Sequence, residues 1–185
     1  MRFSARLEFH EVTPDRWPDF ERLFEARGGP KNCWCMVFRS ASGDSTTSAV
    51  RKSAMRQRIA AGTPIGILGY LDGEPVAWCS VAPKSTFAHL GTIEGDEADP
   101  DTLWSITCFF VPQQYRGLGV TARLIKAAVA HAKARGARIV EAYPVDPASP
   151  SYRFMGFVPA FKRARFREVG RLGTRRHVYR RHVRP

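Results

Sequence analysis

Residues 103–121 read LWSITCFFVPQQYRGLGVT, and this stretch decides the fold of the 185-residue chain. Its first half is rich in β-branched and aromatic residues and ends at Pro112, which predicts a strand over residues 103–111. Its second half places Gly117 and Gly119 one residue apart, directly before a segment of helical periodicity. The stretch therefore predicts a strand, a glycine-containing loop and a helix in direct succession.

The predicted helix covers residues 120–135 and ends at Gly136, a residue typical of helix C-termini. Apolar side chains recur along it at the spacing of one helix face, and basic side chains occupy the other. Residues 137–143 then resemble a further strand. A strand, a helix and a strand in this order form a crossover connection, so we expect strands 103–111 and 137–143 to lie parallel in one sheet.

The segments on both sides of this unit predict more strands and helices. Asp72-Gly73 between two apolar runs indicates a hairpin, and Thr13-Pro14-Asp15 is typical of a helix start. The helices that we predict there run from Thr13 through Phe24 and over residues 45–61. The strands that we predict there cover residues 7–12, 65–71, 75–81, 157–166 and 177–183. Together they indicate a mixed sheet in an α/β or α+β domain.

The loop before the predicted helix 120–135 favours a phosphate-bearing ligand. Gly117 and Gly119 let the backbone approach a ligand closely, and the first N–H groups of a helix have no partner within it. The helix dipole and the side chain of Arg116 add positive charge at the same place. A tight turn that needs glycines for steric reasons alone is the alternative interpretation.

Two other phosphate-binding patterns fit the loop less well. A nucleotide-binding P-loop needs a Lys-Ser/Thr pair after its second glycine, and the chain has none there. A dinucleotide-binding fingerprint fits Gly117, Gly119 and Ala122, with Glu141 as the acid. However, five residues separate the predicted strand from Gly117, and only 44 residues follow Glu141, too few for the further strand and helix units of that fold.

The residues from Gln114 to Gly119 (QYRGLG) resemble motif A of the GNAT N-acetyltransferase superfamily, whose pattern is Q/R-x-x-G-x-G/A. The preceding Val111-Pro112 pair is also typical of that family. Farther along, residues 152–157 (YRFMGF) match the Tyr-x-x-x-Gly-Phe of its motif B. The resemblance is specific over about residues 103–158 and is topological only outside them.

This resemblance implies a fold and a domain organisation. We expect a single domain over residues 1–185 with a mixed, mostly antiparallel sheet flanked by helices. The parallel strand–helix–strand unit is expected at the cofactor site, within the motif core of residues 103–158. Residues 159–185 are expected to form basic C-terminal strands.

The same resemblance implies an acetyl-CoA-dependent N-acetyltransferase that acts on an unidentified primary amine. By this resemblance, the backbone of Phe109 and Val111 is expected to pair with the pantetheine arm of acetyl-CoA. Tyr152 inherits the role of general acid toward the leaving thiolate. The pyrophosphate of acetyl-CoA is then expected at Arg116, Gly117, Leu118, Gly119, Val120 and Thr121.

The general base is not assigned by the resemblance. Relatives often carry it as an acid on the motif A strand, but residues 104–110 contain no acid. Glu94, with its neighbours Asp96 and Glu97, is a candidate base in an acidic loop. A solvated loop without catalytic duty is the alternative interpretation.

Trp34 and Met36 follow the first predicted helix, where this family builds its acceptor pocket. The resemblance therefore implies that both line the substrate pocket, and burial in the core is the alternative. Their neighbours Cys33 and Cys35 form a Cys-x-Cys pair without a second Cys/His pair at metal-binding spacing. We therefore expect no metal and reduced thiols.

The net charge of +12 is concentrated near the C-terminus. Residues 162–185 carry ten Lys/Arg and one acid, a surplus of +9, whereas the first 161 residues carry only +3. Because such a surplus is typical of nucleic-acid partners, a non-catalytic CoA-, nucleotide- or RNA-binding module on the same fold is the alternative function. The acidic run between Gly91 and Trp104 favours a cationic acceptor instead, a small-molecule or peptide amine.

The chain shows neither a membrane-spanning nor a secretory pattern. No window of about 18 uncharged apolar residues occurs, and no apolar run follows the basic residues near the N-terminus. Four scattered cysteines are too few for a disulfide scaffold. We therefore expect a cytoplasmic protein without a membrane partner, and a homo-oligomer is compatible with the sequence.

Overall fold

The computed structural model describes residues 6–40 and 47–184 of the chain. The strands of this part are β1 (Leu7–Glu11), β2 (Gly66–Leu71), β3 (Glu74–Pro83), β4 (Leu103–Phe110), β5 (Ile139–Ala142), β6 (Arg167–Leu172) and β7 (Arg176–His182). The α-helices are α1 (Trp17–Glu25), α2 (Ser48–Ala60), α3 (Val120–Ala134) and α4 (Val158–Arg163). The first two residues of the predicted helix 45–61 lie outside the described residues.

The strands form one mixed sheet in the order β1-β2-β3-β4-β5-β7-β6. Strands β4 and β5 pair in parallel, and every other neighbouring pair is antiparallel. Helix α3 connects the two parallel strands, as crossover connections require. The predicted fold class, a mostly antiparallel sheet with one parallel strand–helix–strand unit, is confirmed.

The two faces of the sheet carry the two larger of the three apolar clusters among the described residues; the third is small and consists of Leu90, Tyr143, Met155 and Val178. Neighbouring residues of one strand point to opposite faces, so Ile67 and Leu68 of β2 fall into different clusters. One cluster packs against the apolar face of α3, including Leu124 and Ile125. The other packs against α1 and α2 and is built largely from aromatic rings, which are Trp17, Phe20, Phe24, Trp34, Tyr70, Trp78 and Phe110.

The prediction of a strand over residues 157–166 is wrong, since this segment forms α4. Pro159 lies in the first turn of α4, where its missing N–H group leaves no helical hydrogen bond unmade. Val158 and Phe161 are three residues apart and are both buried in the cluster beneath α3. The antiparallel strand therefore begins later, at Arg167, and pairs with β7.

The described helices are short compared with the thickness of a bilayer. The longest, α3, has 15 residues, which corresponds to about 22 Å. The hydrocarbon core of a bilayer is about 30 Å thick. No helix among the described residues combines the length and the apolar character that a membrane span requires.

Candidate functional site

The sheet opens between β4 and β5. Their parallel pairing ends at Ile106 and Ala142, but β4 continues to Phe110. Past β5 the chain bends away, and Val145 pairs with Phe157 instead. Among the described residues, the backbone of residues 107–111 therefore has no strand partner on this side.

A cleft of about 790 Å³ occupies this opening. Its lining comes from two directions, and we name the two sides accordingly. The loop side consists of Gly28, Pro30, Cys33, Cys35, Val37 and Phe38 with Cys108 and Phe110. The helix side consists of Phe109, Val111, Arg116 and Thr121 with Gly156, Phe157 and Ala160. Thr107, Arg153 and Phe154 complete the lining.

The N-terminus of α3 is prepared for an anion. Gly117 and Gly119 both have a φ of +76°, and space is open where a Cβ atom would stand at either. No side chain caps α3, and its first turn carries no acid. The first N–H groups of the helix are therefore left without helical or side-chain partners in the described part of the chain.

The residues expected at the cofactor fall into three groups. Phe109, Val111, Arg116 and Thr121 line the cleft, and Arg116 also donates from Nε to the carbonyl of Val111 at 2.9 Å. Residues 117–119 are exposed on the loop that leads into α3. Val120 packs its side chain into the core, so only its backbone faces the loop region as a potential donor.

A steric reason explains why the second motif has a glycine at position 156. Its φ is +87°, and an added Cβ atom would lie 2.9 Å from the Phe161 ring and 3.2 Å from the Phe109 ring. The close approach brings the segment after β5 against the end of β4. The glycine therefore shapes the helix side of the cleft.

Tyr152 stands at the edge of the cleft rather than in its lining. Its side chain is 38% exposed, and its φ of +58° is unusual for a residue other than glycine. The Arg176 guanidinium lies 5.2 Å from the centre of the Tyr152 ring. Phe154, which the sequence did not single out, lines the cleft two residues later, because a single 3-10 turn replaces a helix here.

Trp34 and Met36, expected to line the substrate pocket, are absent from the lining of this cleft and are buried in the core, which was the alternative interpretation. Trp34 is 1% exposed, stacks on Phe24 and donates from Nε1 to the Ser48 hydroxyl. Met36 is buried in the same aromatic cluster. From this segment, the lining comes from Cys33, Cys35, Val37 and Phe38 instead.

The acidic loop and the cleft are separate. Glu94 is exposed and is absent from the lining, and no carboxylate lines the cleft in the described part of the chain. Asp96 is held by the Arg180 guanidinium, whose hydrogen bonds keep the pKa of that carboxyl below its usual range. The structure thus brings none of the three candidate bases to the cleft, and Glu94 as the base stays a prediction.

Glu141, the acid of the dinucleotide alternative, belongs to a buried ion network. Its side chain is fully buried, and its two oxygens accept from Lys84 Nζ at 2.7 Å and from Arg180 Nε at 2.6 Å. The Tyr143 hydroxyl also donates to it. Because these contacts use both oxygens of Glu141 inside the fold, its carboxylate is not available to bind the ribose of a dinucleotide.

A group of sulfur atoms lies on the loop side of the cleft. Cys35 lies next to Cys108 of β4, and Trp78 Nε1 donates to its sulfur at 3.3 Å. The hydrogen bond from Cys108, with the charge of Arg39, lowers the pKa of Cys35 to about 6. Burial raises the pKa of Cys33. No metal-binding cluster of three or more ligands occurs among the described residues.

Comparisons with solved structures give the same fold at low identity. An N-acetyltransferase from Staphylococcus aureus Mu50 has 12% identity and a TM-score of 0.57, with 96% of this chain and 98% of that chain covered. Aminoglycoside acetyltransferase AAC(6')-Ib in complex with ribostamycin and coenzyme A has 16% identity and a TM-score of 0.63, with 95% and 93% covered. The comparison with curated protein sequences gives no match.

The family comparison covers most of the chain. The model of the acetyltransferase (GNAT) family matches residues 11–157. The matched part includes the opening between β4 and β5, the loop before α3 and the glycine of the second motif. The chain therefore belongs to the acetyltransferase (GNAT) family.

Proposed function

We propose that the protein transfers the acetyl group of acetyl-CoA to a primary amine. The observation that carries this proposal is the opening between β4 and β5, directly beside an uncapped helix N-terminus. An extended arm with amide groups fits the backbone of residues 107–111, which has no strand partner on this side in the described part of the chain. A pyrophosphate fits the N-terminus of α3. Membership of the family and neighbours with bound coenzyme A support acetyl-CoA as the co-substrate.

The helix side of the cleft suits the cofactor part of this reaction. The backbone of Phe109 and Val111 would hold the pantetheine arm, and the N–H groups from Gly117 to Thr121 would hold the pyrophosphate. When bound, acetyl-CoA supplies an activated acetyl thioester. Arg116 adds a full charge beside these donors, although its Nε already donates to Val111. Its remaining guanidinium N–H groups are the ones that would reach phosphate oxygens.

In this proposal the loop side of the cleft binds the acceptor. Its lining favours an amine that is attached to an apolar group. Val37 and Phe38 of the loop side are apolar, and so is Phe154, which also lines the cleft. The charged side chains of the whole lining are Arg116 and Arg153. A polycation would need carboxylates to offset its charges, and the described lining has none. The acidic loop, which favours a cationic acceptor, lies elsewhere. We therefore infer a small-molecule or peptide amine of low positive charge.

Positioning supplies most of the catalysis in this proposal. A cleft that holds the thioester and the amine side by side turns a two-molecule encounter into a reaction within one complex. Free N–H groups of β4 would stabilise the developing oxyanion. Tyr152, at the edge of the cleft, would donate a proton to the leaving thiolate.

The cofactor half of the proposal is tested by calorimetry with CoA. Gly119→Trp fills the space in front of α3, so we expect CoA binding to weaken by about a hundredfold or more, about 3 kcal/mol. Gly136→Trp is the matched control. Gly136 ends the same helix, also has a positive φ and also faces open space. Equal affinities of the two variants would show that the loop does not hold CoA.

The transfer itself is tested by thiol release from acetyl-CoA with a panel of amines. We expect apolar primary amines to stimulate release more than polycationic ones. If the protein does not bind CoA, the enzyme proposal fails. If it binds CoA but no amine stimulates release, the alternative of a non-catalytic binding module is favoured.

A further inference from the structure

Arg39 is a buried cation that the described residues leave without a carboxylate partner. Its side chain is packed inside the fold, with the residue 3% exposed. It donates to the carbonyls of Cys35 and Ile65 at 2.7 and 2.8 Å and to the Ser80 hydroxyl at 2.9 Å. All three acceptors are neutral. A buried charge is costly unless an opposite charge lies nearby, so the surroundings of Arg39 favour an anion.

Among the described residues, the Cys35 thiol is a group able to supply that anion, since its charge acts on Arg39. Its sulfur accepts a hydrogen bond from Trp78 Nε1 at 3.3 Å. Arg39 donates both to the Cys35 carbonyl and to Ser80, which pairs with Cys108 between β3 and β4, so Cys108 lies beside the segment that carries Cys35. The charge of Arg39 acts on the Cys35 sulfur. Hydrogen bonds to a sulfur atom favour its charged form, as does a nearby cation. Cys35 therefore has the surroundings of a thiolate.

The backbone around Cys35 is held in an uncommon conformation. Trp34 and Cys35 both have positive φ values, +47° and +57°. Two successive left-handed residues other than glycine are rare and cost energy. This turn is what brings the Cys35 sulfur to β4, while Trp34 packs into the aromatic cluster.

Cys108 is the partner that keeps its proton. Its hydrogen bond to Cys35 and its burial raise the pKa of Cys108. Cys35 and Cys108 are 7% and 9% exposed, yet both line the cleft, so a small molecule in the cleft reaches them. The pair thus combines a sulfur whose surroundings favour its charged form with a neighbouring thiol on the same side of the cleft.

We propose that Cys35 and Cys108 form a peroxide-reactive pair, in which Cys35 attacks and Cys108 resolves. The Cys35 sulfur bonds to one oxygen of a hydroperoxide as the O–O bond breaks. Cys35 is oxidised to a sulfenic acid, and the other oxygen leaves as water or an alcohol after it takes up a proton. The Cys108 sulfur then bonds to the Cys35 sulfur, the S–O bond breaks, and the departing hydroxide takes the Cys108 proton to form water.

The resulting disulfide would join the segment of residues 31–40 to β4 on the loop side of the cleft. It would also remove the anion that faces Arg39. The proposal does not rest on acetyl transfer, because a hydroperoxide is the only reactant that it needs.

The test uses the full chain, hydrogen peroxide and mass spectrometry of non-reduced peptides. We expect one intrachain disulfide between Cys35 and Cys108. Cys33→Ser is the matched control, because Cys33 lines the same side of the cleft but burial raises its pKa. Cys33→Ser should form the same disulfide, and Cys35→Ser should form none. Cys108→Ser should accumulate a sulfenic acid at Cys35 that dimedone labels.

The rate of alkylation by iodoacetamide gives a second readout. The titratable and charged groups around Cys35 are Arg39 on its own segment, Cys79 on β3 and Cys108 on β4, with Cys33 beside it. At about pH 6 the larger thiolate fraction of Cys35, corrected for its lower nucleophilicity, should make it react about twentyfold faster than an ordinary thiol.

Three results would overturn the proposal. The first is a disulfide that includes Cys33 in the wild-type chain. The second is a Cys108→Ser variant in which dimedone leaves Cys35 unlabelled. The third is alkylation of Cys35 no faster than that of Cys33. Circular dichroism of each variant shows whether the fold is kept, so loss of reactivity is separated from unfolding.

Discussion

Glu141 shows how a single carboxylate can hold several elements of this fold together. It lies on β5 and binds Lys84, which follows β3, and Arg180 on β7. Both cations are 11% exposed, so removal of the acid leaves positive charges in a poorly solvated place. The network therefore ties β5 to the end of β3 and to β7.

We predict that Glu141→Gln lowers the free energy of unfolding by about 3 kcal/mol, because it removes the carboxylate with which Lys84 pairs and leaves Arg180 with Asp96 alone. Urea denaturation followed by circular dichroism measures the change. Glu94→Gln, on the exposed acidic loop, should change stability by less than about 0.5 kcal/mol. A Glu141→Gln variant as stable as this control would mean that the network does not stabilise the fold.

Tyr152 carries the second prediction at the level of one residue. If its hydroxyl donates a proton to the leaving thiolate, Tyr152→Phe should lower kcat by about a hundredfold and leave the KM for acetyl-CoA nearly unchanged. The control is Tyr70→Phe, which removes a hydroxyl bound to Asp19 outside the cleft. Steady-state kinetics with an accepted amine measure both. An unchanged kcat in Tyr152→Phe would assign the proton transfer to another group.

The elements that could be predicted from the sequence are those with strong local patterns. Helix α3, the hairpin of β2 and β3, and strand β4 lie within two residues of their predicted bounds. Each has a periodic apolar pattern with a clear glycine or proline at its end. The loop before α3 could also be located from its two glycines, both of which have a positive φ, and its role in phosphate binding stays a prediction.

Elements whose conformation depends on distant contacts were not predictable. The segment that forms α4 alternates apolar and basic residues like a strand, but Pro159 and the burial of Val158 and Phe161 favour a helix. Trp34 and Met36 sit in a turn with left-handed residues, and no periodicity reveals which of its side chains point inward. The contact between Cys35 and Cys108 joins positions 73 residues apart, so only the folded chain shows it.

At the scale of the whole molecule, four arginines of the basic C-terminal segment have partners within the fold. Arg180 binds Asp96 and Glu141, and Arg176 donates to the carbonyl of Leu90. Arg175 donates to the Ser151 hydroxyl and Arg181 to the carbonyl of Ala164. These four are among the ten Lys/Arg residues whose charge surplus suggested the RNA alternative. The charge surplus therefore gives RNA binding less support than the sequence alone did.

Two carboxylates make the stability of the whole molecule depend on pH. Hydrogen bonds from Arg180 lower the pKa of Asp96, and the hydrogen bond from His177 lowers the pKa of Glu168. Because both pKa values are lower in the folded state, their contribution is complete above the unfolded values of 3.8 and 4.5 and is lost as the pH falls through the folded values.

We therefore predict a free energy of unfolding that is steady near neutral pH and declines below about pH 4. Asp96→Asn should be less stable than the wild type at pH 7, and the two should converge in acid. Thermal unfolding across this pH range measures the difference. Glu97→Gln, an exposed neighbour, should follow the wild-type curve at every pH. Parallel curves for Asp96→Asn and the wild type would contradict the assignment.

The short parallel ladder of β4 and β5 also sets the aperture of the cleft. Four residue pairs join the sheet's N-terminal part, β1 to β4, to its C-terminal part, β5 to β7. The number of paired residues determines where β4 and β5 separate, and therefore how wide the opening between them is. Substitutions in the lining can alter which molecule fits, while the width of the opening between β4 and β5 stays the same. An extra residue inserted into β4 would change the width of the opening itself.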